Sequence, residues 1–180
     1  MSRVLVVILG GTRSGKSTFG RDRAAALAAG GPVVYVATAL PGDPELDDRI
    51  RRHRRDRPVE WQTVEAGLEL AAAIRGVAAG TTILLDGLTL WASLALADDP
   101  SLVDEVLDGT FADVLAAISA HDGPVVVVSD EIGLGLVPLD PLGRAFRDFL
   151  GIAHQRLVAQ SDEAWFMVAG RALALQRPRS

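Results

Sequence analysis

The chain has 180 residues, a formal net charge of −5, 49% hydrophobic residues and no cysteine. That length and apolar content predict one ordered domain, residues 1–180, and argue against a disordered chain. The acidic balance speaks against a general nucleic-acid binder, and the lack of cysteine excludes disulfides, zinc–thiolate sites and cysteine nucleophiles.

Residues 3–9 are a short β-branched run ended by Gly10-Gly11, which predicts a strand buried on both faces. A signal peptide is the competing reading, but the run is short and no small-residue cleavage pattern follows it. Residues 15–29 predict an alanine-rich helix closed by Gly30-Gly31. A second buried strand is expected at 33–37, a helix at 44–55, and a weakly alternating strand at 59–64. A helix follows at 66–79, then a third buried strand at 81–85 ending in Asp86. Helices are expected at 88–97 and 102–120, a fourth strand at 125–128, a long helix at 142–160, and strands at 163–169 and 172–176. Strands alternating with helices predict an α/β fold, a mostly parallel sheet with helices on both faces. Loops 40–43 and 131–141 are rich in glycine and proline and are read as active-site loops, since ligands in such sheets bind beyond the carboxyl ends of strands. No apolar run is long and uncharged enough to cross a bilayer, so no membrane span and a cytoplasmic location are expected.

Gly10, Gly11, Thr12, Arg13, Ser14, Gly15, Lys16 and Ser17 spell a complete phosphate-loop pattern between a predicted strand and a predicted helix. The glycines let backbone N–H groups turn toward phosphate oxygens, and the helix N-terminus adds positive partial charge. Lys16 is expected to bridge the β- and γ-phosphates, and Ser17 to hold Mg²⁺. The bland reading is a chance glycine-rich turn, which the flanking strand and helix disfavour. Lys16 is also the only lysine among 18 basic residues. A compact ammonium suits a phosphate pocket better than a planar guanidinium. For the metal, Asp86 and Glu131 each follow a predicted strand; the alternative for both is a loop carboxylate capping the next helix.

Residues 49–57 place six arginines around His53. On a helix Leu46, Ile50 and His53 share one face, so His53 turns toward the protein body. Composition alone favours a solvated basic face with a boundary histidine. The sharper reading is a nucleophile: surrounding arginines disfavour the imidazolium and stabilise charge on a phosphorus centre under attack. His121 is read as a helix end and His154 as a helix residue of unknown role. Of the three tryptophans, Trp165 in the strand at 163–169 is the one expected in the core, with Trp61 and Trp91 open between core and substrate contact.

In order along the chain, Gly10 to Ser17, Tyr35-Val36-Ala37-Thr38-Ala39, Arg49-Ile50 with His53, and Arg57-Pro58 with Trp61, Thr63 and Glu65 make an ordered set. Leu85-Asp86 with Leu88-Thr89-Leu90-Trp91, then Val128-Ser129 with Glu131-Ile132-Gly133, Gly135-Leu136-Val137-Pro138, Arg144, Phe146-Arg147-Asp148 and Gln155-Arg156-Leu157, complete it. With this set the chain resembles the bifunctional adenosylcobinamide kinase / adenosylcobinamide-phosphate guanylyltransferase family of cobalamin biosynthesis, the CobU family. The resemblance implies a RecA-like P-loop NTPase fold and a homotrimer. It implies phosphorylation of the aminopropanol hydroxyl of adenosylcobinamide by ATP or GTP. It then implies transfer of GMP from GTP, through a guanylylated histidine, to the phosphate. The position matching that histidine is His53, which reverses the preference from composition. The same resemblance points to Ala37, Thr38, Ala39, Arg54, Arg55, Asp56, Arg57, Glu65 and Asp86 as nucleotide contacts. Departures from the family pattern are Thr12 for alanine, Gly87 for cysteine, Asp130 and His154 for asparagine, and no asparagine shortly after Trp91.

The sequence also admits two rival readings. A simpler P-loop kinase would not need His53, and a nucleotide-binding switch would bind GTP without fast chemistry.

Overall fold

The computed structural model describes residues 3–38, 58–97 and 99–177. Its strands are β1 (Leu5–Gly10), β2 (Val33–Ala37), β3 (Gln62–Glu65), β4 (Thr82–Asp86), β5 (Val125–Asp130), β6 (Glu163–Val168) and β7 (Arg171–Ala174). They form one seven-stranded sheet in the order β3-β2-β4-β5-β1-β6-β7. Neighbours are parallel except β6 and β7, an antiparallel hairpin turning at Ala169 and Gly170. The helices are α1 (Lys16–Ala28), α2 (Leu70–Arg75), α3 (Leu88–Leu96), α4 (Val103–Asp108), α5 (Thr110–Ala120) and α6 (Pro141–Gln160), with a 3₁₀ turn at Pro100–Leu102.

The central strands are apolar on both faces because helices cover both. Leu5, Val7, Leu9, Ile83, Leu85, Val125 and Val127 point into a core shared with α2 to α6. Val6, Ile8, Leu84, Val126 and Val128 point the other way, toward α1. This is the period-two alternation of a strand, with apolar residues required at every position. On the larger face Trp91, Phe111 and Phe149 pack as a fully buried trio with ring centroids 5.9, 6.3 and 6.0 Å apart. Each such contact adds about 1 kcal/mol beyond the area it buries. Helix α1 reaches its face of the sheet through a stripe of small residues, Gly20, Ala24 and Ala28, all buried. A Cβ on Gly20 would lie 2.6 Å from the Val128 side chain, so this helix sits closer than any larger residue permits.

Several predicted boundaries shift for local reasons. The helix expected at 66–79 shrinks to Leu70–Arg75, because Gly67 takes a left-handed φ of 50° before it and Gly76 ends it. The single helix expected at 102–120 is divided at Gly109, whose ψ of −94° leaves the helical region. The strand expected at 59–64 starts later, since the Trp61 N–H turns back to the Pro58 carbonyl at 3.1 Å. The fourth buried strand runs past 128 to Asp130, which places Ser129 and Asp130 on the sheet itself. Trp165 is only partly buried, edge-on to Phe19, and Trp91 is the tryptophan that the core encloses. The helix expected at 44–55 and the loop at 40–43 lie outside the described residues. Among the described residues no helix is long and apolar enough to cross a membrane.

Candidate active site

Because β1, β2, β3, β4 and β5 are parallel, their carboxyl ends share one edge of the sheet, and among the described residues Asp86, Glu65 and Asp130 stand at that edge. Gly10 pairs in register with Asp130. Ala37 pairs with Asp86 on one side and with Glu65 on the other. Three expected nucleotide contacts thus stand in one row across β4, β2 and β3. Tyr35 O–H donates to the Asp86 carboxylate at 2.8 Å, and the Thr38 hydroxyl donates to the Gly87 carbonyl at 2.7 Å. These bonds hold the ends of β2 and β4 together.

The loop after β1 turns sharply into α1. The Ser14 N–H returns to the Gly11 carbonyl at 3.2 Å, and Gly15, at φ 96°, delivers the chain into the first helical turn. An L side chain resists that φ, which is the physical reason for glycine there. Arg13 also takes a positive φ, 57°, and such strain in a non-glycine residue is concentrated at functional loops. From behind, the β6–β7 turn braces the loop: the Gly170 N–H donates to the Ser14 carbonyl at 2.9 Å. The Ser14 hydroxyl is buried with no hydrogen-bond partner among the described residues.

Lys16 opens α1 and is buried. Its ammonium donates to the Gly11 carbonyl at 3.2 Å and is paired with the Asp130 carboxylate. Sequence reasoning flagged Asp130 as a departure but missed this pairing. The signal was available in principle, since Lys16 lies just beyond β1 and Asp130 ends β5, the strand beside it. Glu131 takes a different course: its carboxylate accepts the Gly133 N–H at 2.7 and 3.1 Å within its own turn.

Behind Asp130 lies a polar set that sequence reasoning also missed. The Asp130 N–H donates to Thr89 Oγ1 at 2.9 Å, Thr89 Oγ1 lies 3.3 Å from Ser129 Oγ, and Ser129 Oγ lies 2.7 Å from His154 Nε2. Burial pushes His154 down to about 4, only partly opposed by the negative charge of Asp130. Its ring is therefore neutral near pH 7. His121 caps α5 as expected, and its ring donates to the Thr81 carbonyl at 2.8 Å. His53, Ala39, Arg54, Arg55, Asp56 and Arg57 lie outside the described residues.

The donors at this edge suit a hard cation: the Ser17 hydroxyl and the Asp86 carboxylate are oxygen ligands. Among the described residues no group of three or more histidines or acids is arranged to hold a metal ion by itself. Mg²⁺ needs no such cage, because substrate phosphates and waters supply most of its shell.

A profile of the family described as cobinamide kinase / cobinamide phosphate guanyltransferase, CobU, matches residues 6–175. The bifunctional adenosylcobalamin biosynthesis protein CobP of Pseudomonas aeruginosa is 42% identical over 172 residues, covering 94% of this chain and 96% of its own. The bifunctional adenosylcobalamin biosynthesis proteins CobU of Salmonella typhimurium and Escherichia coli are 35% and 32% identical, each over 93% of this chain and 97% of their own. Among solved structures, an ATPase domain superposes with a TM-score of 0.50 at 14% identity, over 91% of this chain and 69% of that one. That likeness concerns the fold alone and agrees with a RecA-like P-loop architecture.

Proposed function

The chain belongs to the cobinamide kinase / cobinamide phosphate guanyltransferase family, and we propose that it runs both reactions of that family at one phosphate loop on a single domain spanning 1–180. It is a transferase of cobalamin biosynthesis with kinase and guanylyltransferase activities, using nucleotide and cobinamide substrates. In the first reaction the aminopropanol hydroxyl of adenosylcobinamide attacks the γ-phosphorus of ATP or GTP. The bond to the β-phosphate oxygen breaks and the nucleoside diphosphate leaves. In the second, a ring nitrogen of His53 attacks the α-phosphorus of GTP and pyrophosphate leaves. A phosphate oxygen of adenosylcobinamide phosphate then displaces His53 from GMP, giving adenosylcobinamide-GDP and the free histidine.

Phosphoryl and nucleotidyl transfer rest chiefly on positioning and charge neutralisation. The backbone of Gly10 to Ser17 cradles the phosphates and Lys16 neutralises them. Ala37, Thr38, Ala39, Arg54, Arg55, Asp56, Arg57, Glu65 and Asp86 contact the nucleotide. Ser17 and Asp86, with Glu131 once its turn opens, would hold Mg²⁺, which supplies charge neutralisation on the phosphate oxygens. A cytoplasmic homotrimer completes the reading. The observation that carries it is the placement of Lys16, the one lysine of the chain, at the carboxyl edge of the sheet beside Asp130.

The test is the intact mass after incubation with GTP and Mg²⁺ at neutral pH without corrinoid. A gain of one GMP, lost in acid and absent in His53→Ala, is expected. No gain despite GTP binding would overturn the covalent step and leave a kinase without a histidine intermediate. An adduct that survives acid would point to a hydroxyl ester instead.

A further inference from the structure

We propose that His154 is a positioning residue for the phosphate site, acting through Ser129, Thr89 and Asp130 on the Lys16 ammonium. The inference rests on the reading of residues 10–17 as the triphosphate site, and it begins with a gap in the sheet. The last pairing of β4 with β5 is Asp86 with Val128. On its other side β5 continues, and the Glu131 N–H donates to the Gly10 carbonyl at 3.1 Å. The Asp130 N–H therefore faces the side where β4 has already ended. Thr89, in the first turn of α3, takes the place of the missing strand by accepting that N–H. A buried backbone donor left without an acceptor is costly, so the position of Asp130 depends on where the Thr89 oxygen is held.

The Thr89 oxygen is held in turn by Ser129, and Ser129 by His154. Successive residues of a strand point to opposite faces. Ser129 points toward α3 and α6, where His154 is buried, while the Asp130 carboxylate meets Lys16 at the start of α1 on the other face. With the imidazole neutral and its proton on Nδ1, each hydroxyl donates once and accepts once: Thr89 donates to Ser129, and Ser129 donates to His154 Nε2. The chain of bonds thus joins His154 on α6 to the lysine on α1 through Ser129 and Asp130 of β5 and Thr89 of α3. A histidine that served only to fill the core would not need to end at a group touching the phosphate-binding lysine.

The experiment compares the full chain with His154→Leu, His154→Gln, Ser129→Ala and the Ser129→Ala/His154→Leu double variant. Readouts are GTP affinity by calorimetry, KM and kcat of the kinase reaction, and thermal midpoint. Glutamine carries an amide oxygen near the reach of Nε2 that can accept from Ser129, so it is the conservative replacement. His154→Leu and Ser129→Ala are each expected to weaken GTP binding by roughly three- to tenfold, the scale of one lost buried hydrogen bond. His154→Gln should recover most of that loss, and the double variant should be no worse than the weaker single one, as for residues in one network. Unchanged GTP affinity in Ser129→Ala and His154→Leu, with only a lowered midpoint in the latter, would overturn the proposal. So would additive losses in the double variant. If the native chain itself bound no GTP, the phosphate-loop reading would fall, and the relay with it.

Discussion

Lys16 and Asp130 form an ion pair across the mouth of the phosphate loop, with side chains only 10% and 21% exposed. The carboxylate thus occupies the ammonium that, on the proposed reading, engages the triphosphate. It orients Lys16 and competes with phosphate for it. Asp130→Asn keeps an oxygen that accepts from Lys16 and removes the competing charge. GTP binding should tighten by about fivefold, or about 1 kcal/mol. Asp130→Ala, which loses the orienting oxygen too, should show no such gain. Calorimetric titration of both variants checks this, and weaker binding in Asp130→Asn would show that the charge serves the bound state.

Lys16→Ala removes the only lysine from the phosphate site. Both transfers should be lost to below about one part in a thousand of native turnover, since charge neutralisation of this kind is worth several kcal/mol in the transition state. The fold should survive, because α1 is anchored through Gly20, Ala24 and Ala28 further along. Steady-state assays of both half-reactions, beside a circular dichroism spectrum, decide the matter. Native-like turnover would remove Lys16 from the mechanism.

Much of the arrangement of the candidate residues is legible in the sequence, and the reasons are local. Gly10 to Ser17 announces itself through spacing between two strongly patterned elements, while Ala37 ends one predicted strand and Glu65 and Asp86 come directly after two others. Their meeting in one register row follows from parallel pairing alone. The relay from His154 to Asp130 was not legible, because its four residues lie on α6, β5 and α3, and only the strand order makes them neighbours. Two helix errors have the same origin in glycine. Gly67 and Gly109 sit inside windows whose apolar periodicity continues through them, and their backbone angles settle the boundary.

Gly20→Ala should destabilise the chain although alanine is the better helix former. The propensity gain is about 1 kcal/mol. Against it, the new Cβ would stand 2.6 Å from Val128, a β-branched residue fixed in the middle of the sheet, with Leu84 and Ile8 close behind. Overpacking of that kind costs about 1–3 kcal/mol and would lift α1, and with it Lys16, away from β5. Urea unfolding should show a net loss of about 1 kcal/mol, and GTP affinity should fall with it. A stabilised Gly20→Ala variant would mean that α1 has more room than its small-residue stripe suggests.

His154 also makes stability depend on pH in a defined window. Its value is about 4 in the folded chain against the ordinary 6.5, with burial the first cause and Asp130 opposing it. Between those values the unfolded chain binds a proton at this position and the folded chain does not. Unfolding free energy therefore rises with pH from about 4 to 6.5 and gains nothing further from this group above it. One unit of pKa corresponds to about 1.4 kcal/mol, so the full window is worth on the order of 3 kcal/mol. Carboxylates titrate near its lower end, so the informative quantity is the difference between native chain and His154→Gln. Urea unfolding at pH 7.5, 6.0 and 5.0 should show the native chain losing stability faster than the glutamine variant as pH falls. Parallel losses in the two would mean that the imidazole takes up its proton in the folded state, and that the bond from Ser129 survives with the ring as donor.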